Sequence, residues 1–147
     1  RRMIINVRNI EASKAGVELK HTFTPKAINE GRPDGDKVRV VCRYFKSLQK
    51  MEYMKYDADK AIRYSIRDIF LGQVDEVKNL SIRDELGQVL VLKTASDVAE
   101  LPSIPIIEGM MQEVVFHLLA GDDLTEDEEK NSESAISSSE EDSSTTN

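Results

Sequence analysis

The chain has 147 residues, enough for one domain with a modest hydrophobic core. Hydrophobic residues make up 39% of it, but no apolar run approaches the length needed to span a bilayer. The single cysteine, Cys42, excludes an internal disulfide framework. The first residues include two arginines but no apolar segment, which does not fit a secretory signal. We therefore expect a soluble intracellular protein.

The net charge of −7 is distributed unevenly along the chain. Asp122–Asn147 has ten acids and one lysine and therefore carries −9, which leaves +2 for Arg1–Gly121. Leu124 and Ile136 are the only large apolar residues in this acidic segment, and serine is its commonest other residue. Such a composition cannot offset the entropy of folding. The sequence thus predicts a globular domain over residues 1–121 and a disordered acidic tail over residues 122–147.

Two alternating stretches predict a β-hairpin near the N-terminus. The first is "MIINVRNI" and the second is "VELKHTF", and "EASKAG" between them has turn composition. The following segment, "TPKAINEGRPDGDK", is rich in proline, glycine and aspartate. It predicts a loop that is free to move.

The stretch Val38–Phe45 is the clearest predicted strand, and its side chains alternate between two faces. One face is apolar apart from the phenol of Tyr44 and suits a core. The other face mixes arginines with apolar groups, as at a sheet surface or a partner contact. We predict partner binding by this second face, which consists of Arg39, Val41, Arg43 and Phe45.

Two helices are predicted after this strand. Ser47 caps the first, "LQKMEYMKY", and the spacing turns Leu48 and Met51 inward. Asp57 or Asp59 caps the second, "ADKAIRYSIRDIFLG", which carries a narrow apolar stripe and ends at a glycine.

A second hairpin is predicted in "VKNLSIRDELGQVLVLKT". "DELGQ" forms its turn, and the uninterrupted apolar run "VLVL" predicts a deeply buried return strand. Ser96 is the predicted cap of a short helix that follows. Together these elements predict an α+β fold, with two hairpins in an antiparallel sheet and three to four helices.

The last predicted helix begins at Pro102 or Pro105 and ends at Gly121. Its residues at steps of three and four form a packing seam: Ile104, Ile107, Met111, Val114 and Leu118. Further apolar residues widen this surface beyond one seam. We predict that the second side contacts a partner through Met110, Val115 and Leu119. The alternative is a central core helix in a monomer.

The sequence contains no arrangement of residues typical of catalysis. His21 and His117 lie in different elements without neighbours at ligand spacing, and Cys42 lies among valines. We therefore expect no enzymatic activity, no metal and no cofactor. The segment Arg39–Arg67 carries +5 and contains tyrosines, but its bases are interleaved with acids and it matches no nucleic-acid-binding motif. We do not expect nucleic acid as the main partner.

Three stretches resemble the small tail assembly chaperones of long-tailed bacteriophages. In "RYFKSLQKMEYMKYD" the similarity rests on the strand end and short helix formed by Arg43, Tyr44, Phe45, Leu48, Glu52 and Tyr53. The second is "VKNLSIRDELGQVLVLKTASDVAELPSIPIIEGMMQEVVFHLL", in which a strand, a glycine turn and an apolar-seam helix follow in the family's order. The third is the acidic "LTEDEEKNS", and the resemblance as a whole, which also includes the strand before Arg43, covers about Val38–Ser132.

The resemblance implies a non-catalytic α+β protein of the infected host's cytoplasm, absent from the finished virion. Such chaperones coat the tape measure protein and help recruit tail tube subunits, and we expect a homo-oligomer. The alternatives are a structural head–tail connector or tail-terminator component, and a nucleic-acid-binding or adaptor protein.

Overall fold

The computed structural model of the protein describes residues 2–56 and 62–121. By its internal contacts the chain divides into two units, and among the described residues Arg2–Val17 belongs to one and Glu18–Gly121 to the other. The second unit mixes helices with antiparallel sheets, which confirms the predicted α+β class. The predicted tail over residues 122–147 and the candidate caps Asp57 and Asp59 lie outside the described residues.

The predicted N-terminal hairpin is wrong. Residues 2–6 form neither helix nor strand, and the segment that was expected to turn forms helix α1, Ile10–Lys14. The side chains of Met3, Ile4 and Ile5 are exposed. Alternation therefore failed as a signal here, because it predicts a strand only where one face of the segment is buried.

The remaining elements all lie in the unit Glu18–Gly121. Its strands are β1 Lys20–Phe23, β2 Arg39–Arg43, β3 Met54–Tyr56, β4 Ile62–Tyr64, β5 Val74–Lys78, β6 Leu80–Arg83 and β7 Val89–Leu92. Its helices are α2 Gln49–Tyr53, α3 Ile66–Gln73, α4 Ala95–Ala99 and α5 Pro105–Ala120. Short 3-10 turns occur at Ala27–Asn29 and Asp34–Asp36.

Strand β2 lies at the centre of a three-stranded antiparallel sheet of order β1-β2-β5. Its neighbours pair with Val40 through Phe23 on one side and Val77 on the other. Val38, Val40 and Cys42 are fully buried, which confirms the predicted core face of this strand. The core continues onto α3, α4 and α5.

A buried asparagine fixes the long connection between β1 and β2. The side-chain amide of Asn29 donates to the carbonyl oxygens of Pro25 and Val38, both at 2.8 Å. Its oxygen accepts from the Val38 backbone N–H at 2.7 Å. With all three bonds made, the buried amide is satisfied. The loop is thus held against the start of β2, whereas turn composition predicted a loop free to move.

The two predicted helices after β2 are shorter than expected. Helix α2 begins after Leu48, which has a φ of +67° and makes no side-chain cap bond, and the cap predicted at Ser47 is wrong. Leu48 and Met51 are exposed rather than inward. Residues 54–56 and 62–64, predicted as helix, pair as strands β3 and β4.

Caps made by side-chain oxygens define the next two helices. Ser65 caps α3 by accepting from the Asp68 N–H at 3.1 Å. Gly72 lies in the last turn of this helix, where a Cβ would overlap the Tyr53 hydroxyl. Thr94, not the predicted Ser96, caps α4. In return, the Asp97 carboxylate accepts from the Thr94 backbone N–H, which completes that capping box. It also accepts from the Lys93 backbone N–H, and the N–H groups of Lys93 and Thr94 hold the pKa of Asp97 below its ordinary value.

Strands β6 and β7 form the predicted second hairpin, with Ile82 opposite Leu90 and Leu80 opposite Leu92. Leu80 and Leu92 are buried. The rest of β7 is not, since Val89, Leu90 and Val91 are 53%, 49% and 59% exposed. The prediction of a deeply buried return strand is therefore wrong.

Candidate functional site

An open groove of about 820 Å³ lies between β1, the loop after it and the C-terminal half of α5. Its size is in the range typical of ligand-binding clefts. It is lined by Phe23, Lys26, Ala27, Glu30, Glu113, Phe116 and His117. Most of this lining is apolar, with charged groups among it.

Three aromatic rings, those of Phe23, Phe116 and His117, line the groove. The ring of Phe23 stacks on His117, with ring centres 4.1 Å apart and planes at 15°. Phe116 packs edge-on against Tyr64, yet 51% of its surface is exposed. An exposed phenylalanine beside a stacked pair gives the groove an apolar contact surface that water covers in the free protein.

The loop wall of the groove is fixed by Glu113. Its carboxylate accepts from the backbone N–H of Lys26 at 2.6 Å and from that of Ala27 at 3.5 Å. Glu30 lies on the same wall. Two carboxylates and one lysine give the groove a slightly acidic rim, which favours a ligand with basic groups beside its apolar surface.

The two histidines that looked unrelated in sequence are in contact, and one of them, His117, lines the groove. Nε2 of His21 lies 2.8 Å from Nε2 of His117, so one ring donates a hydrogen bond to the other and ties β1 to α5. This bond occupies Nε2 of both rings, which is one of the two nitrogens through which a histidine can bind a metal. In residues 2–56 and 62–121, no group of three histidine, cysteine or acidic side chains could hold a metal ion.

The predicted partner face of β2 is only half exposed, and its arginines bind within the chain. Arg43 forms ion pairs with Asp75 at 2.7 Å and Glu18 at 3.1 Å, and it also donates to the Val74 carbonyl oxygen. Arg39 donates to the Asp34 carbonyl oxygen at 3.0 Å. These bonds hold the edges of the sheet together.

The apolar members of that face have different surroundings. Val41 pairs with Thr22 and Glu76 of the two neighbouring strands. Phe45 packs edge-on against Tyr53, and the ammonium of Lys50 lies 5.5 Å from its ring centre. Phe45 thus contributes to a small cluster at the end of β2.

The predicted free side of α5 is buried in the chain's own core. Met110 is 1% exposed and Val115 is fully buried, while Leu119 is half-buried and packs against the core. The helix lies against α3 and the loop after β1, so two of its sides are covered from within. Its exposed apolar residues are instead Ile106 and Phe116.

Cys42 lies on the buried face of β2, and burial raises the pKa of its thiol from 9.0 to about 12. A thiol with a pKa this high stays protonated near neutral pH, and a protonated thiol is a poor nucleophile.

Comparison with known proteins gives no relative to this chain. No protein-family model matches it, and neither a curated protein nor a solved structure matches it significantly. Within the part of the chain that the structure describes, no helix is long and apolar enough to cross a membrane.

Proposed function

We propose that the protein is a non-catalytic assembly chaperone of the kind found in long-tailed bacteriophages. It binds the tape measure protein and helps recruit tail tube subunits in the host cytoplasm, and it does not remain in the virion. The observation that supports binding most directly is the open apolar groove with the half-exposed ring of Phe116.

The groove suits an amphipathic helix better than a small polar ligand. An amphipathic helix presents apolar side chains at steps of three and four, which bind in apolar grooves of this kind. Phe23 and Phe116 supply the apolar surface, and Glu30 and Glu113 lie where basic residues of the client would flank its apolar stripe. A tape measure protein, which is largely helical, provides such segments.

The alternative of nucleic-acid binding receives less support. Arg39 and Arg43 are engaged with Asp34, Asp75 and Glu18, so these charges are already partly neutralised within the chain. Phosphate contacts need such charges to be free to replace counterions. No observation favours the head–tail connector over the chaperone, and detection in purified virions would support the connector.

Co-expression with the tape measure and tail tube proteins of the same phage tests the proposal. Phe116→Asp places a charge in the groove, and Ala27→Phe fills it without removing a core contact. We expect both variants to fold and to lose client binding by about tenfold or more, because the apolar contact is lost. Met51→Asp, at an exposed apolar residue outside the groove, is the matched control and keeps binding.

Equal client capture by Phe116→Asp, Ala27→Phe and the wild type would overturn the groove as the binding site. Binding in the groove should also change little between low and high salt, because it depends mainly on apolar burial. A steep loss of client binding at high salt would indicate that the client binds the basic residues of Arg39–Arg67 instead.

A further inference from the structure

We propose that two copies of this chain pair through β7, edge to edge and antiparallel, around a two-fold axis at Leu90. The proposal depends on the geometry of the β6–β7 hairpin and does not require the client groove. It assigns a surface and a register to self-association.

The first observation is that β7 is apolar but uncovered. Val89 and Val91 lie on one face of the hairpin and Leu90 on the other, and all three are about half exposed or more. Leu86 at the hairpin tip is 80% exposed. An exposed edge strand normally contains charged residues or a proline, which prevent it from pairing with another chain. From Gln88 to Leu92 this strand has neither.

The second observation is that the backbone N–H and C=O groups of Val89 and Val91 lie on the edge of β7 that faces away from β6. The Asp84 N–H donates to the Gln88 carbonyl oxygen at 2.9 Å, so Gln88 faces β6. In an antiparallel pair this orientation alternates, and therefore Leu90 also faces β6 while Val89 and Val91 face away. Beyond the end of β7, the Lys93 carbonyl oxygen accepts from the Val77 N–H at 2.8 Å, and the Lys93 N–H donates to the Asp97 carboxylate at 3.0 Å. Among the described residues, no strand but β6 pairs with β7.

These two facts select one register for a second copy. A two-fold axis through a continuous sheet keeps each face on its own side, so the axis must pass through a residue position and not between two. An axis at Leu90 sets Val89 opposite Val91 of the partner subunit, and both of these residues present backbone groups on the outer edge. The reciprocal bonds from the two Val89–Val91 pairs satisfy all the outward groups of Val89 and Val91.

Both neighbouring registers are less favourable. An axis at Val89 would set Val91 opposite Gly87 of the partner subunit, whose backbone N–H already donates to the Asp84 carbonyl oxygen within the hairpin turn. An axis at Val91 would set Val89 opposite Lys93 of the partner subunit, whose carbonyl oxygen is already bonded to Val77. With the axis at Leu90, the pairing covers Val89–Val91 and stops before that bond. Leu90 then contacts Leu90 of the partner subunit, and Ile82 extends the same apolar face.

Charge complementarity favours a second copy over an unrelated extended peptide. The paired strand itself has no charge, so the two-fold axis opposes no like charges. Lys93 follows the strand at one end, and the turn before the strand carries Asp84 and Glu85. In the antiparallel pair, Lys93 of each copy points toward the acidic turn of the other, at the diagonal position from Glu85 of the partner subunit.

Disulfide trapping in the full chain tests both the pairing and its register. Residues opposite each other in a non-hydrogen-bonded pair have Cβ atoms close enough for a disulfide after small shifts. Leu90→Cys should therefore form a covalent dimer rapidly under copper phenanthroline oxidation. Leu86→Cys, which is more exposed but out of register, is the matched control and should stay largely monomeric. Cys42 is buried and contributes little background.

The oligomeric state in solution provides the second measurement. We expect sedimentation to give about twice the chain mass of 16.6 kDa for the wild type. Val91→Lys should sediment as a monomer with an unchanged circular dichroism spectrum and with the Tm of the dilute, monomeric wild type, because the side chain is exposed. Lys93→Glu should weaken the dimer several-fold, and the double swap with Glu85→Lys should restore it.

Three results would overturn the proposal. One is a monomeric wild type at high concentration together with no trapping at Leu90→Cys. Another is trapping at Leu86→Cys as fast as at Leu90→Cys, and the third is a Val91→Lys variant that is folded and still dimeric. Since Val91→Lys leaves the groove intact, its client binding can be measured separately, and failure of either proposal is distinguishable from failure of the other.

Discussion

Strands β2 and β7 are both rich in valine, yet among the strands whose burial the structure describes, β2 is mostly buried or half-buried and β7 is mostly exposed. Strand β2 has paired neighbours on both edges and helices over its core face. Strand β7 has β6 on one edge, and three of its four residues are exposed. An apolar strand sequence therefore predicts that the strand is buried, but it does not tell whether residues of the same chain or of another chain bury it.

The difference follows from where each strand lies relative to the core. Val40 is enclosed because Phe23 and Val77 flank it in the sheet. In the second hairpin only Leu80 and Leu92, at the end nearest the core, are buried. Ile82 still packs against the core, but Val89, Leu90 and Val91 are exposed. On our account the cover for β7 comes from a second copy of the chain.

Introducing an aspartate should produce the largest difference between the two strands, measured as the loss of folding stability. Val40→Asp places a carboxylate in the core and should cost on the order of the whole stability of a small domain, about 5 kcal/mol or more. We expect this variant to lack a cooperative unfolding transition. Val91→Asp should unfold with a Tm close to that of the wild-type monomer. Circular dichroism melts of both variants provide the test, and a stably folded Val40→Asp would contradict the assigned core.

Thiol reactivity compares the strands without changing the core. The raised pKa of Cys42 means that its thiolate, and with it alkylation, becomes available only as pH approaches about 12. At pH 8 a Val91→Cys thiol on the exposed strand should react with iodoacetamide about a thousandfold faster than Cys42. Dilute protein keeps β7 unpaired during the measurement. Comparable rates for the two thiols would show that the core face of β2 opens readily.

The two sides of α5 extend the comparison to a helix. Met110→Ala removes a fully buried side chain and should lower the free energy of unfolding by about 2–5 kcal/mol. Ile106→Ala, at a side chain that is 50% exposed, should change it by about 1 kcal/mol or less. Urea denaturation measures both. A similar loss of unfolding free energy in the two variants would contradict the assignment of Met110 to the buried side of α5 and Ile106 to the exposed side.

Local sequence patterns predicted the elements whose own residues carry a sufficient signal. The alternation of β2, the turn between β6 and β7, and the long apolar α5 with its glycine end were all predicted and are present. The cap positions were not. Ser65 and Thr94 offer side-chain oxygens that can cap a helix, but so do Asp57, Asp59 and Ser96, which were predicted in their place, and only the neighbouring strands decide where each helix begins.

Most of the candidate site could not be predicted from the sequence, because it depends on contacts between residues far apart in the chain. His21 and His117 are 96 positions apart, and no spacing rule connects a strand residue with a helix residue at that distance. The pairing of β1 with β2 across a long loop is hidden for the same reason. The sequence did show that α5 is apolar on two sides, but both sides proved to face the chain's own core.

The central claim is that a second copy covers β7 as neighbouring strands cover β2, and amide hydrogen exchange at two protein concentrations tests it most directly. The Val40 amide should exchange slowly in both samples, because it lies in a central strand. The amides of Val89 and Val91 should exchange rapidly in the dilute sample and slow by about tenfold or more in the concentrated one, since association protects them by mass action. Exchange at Val89 and Val91 that does not change with concentration would contradict the account.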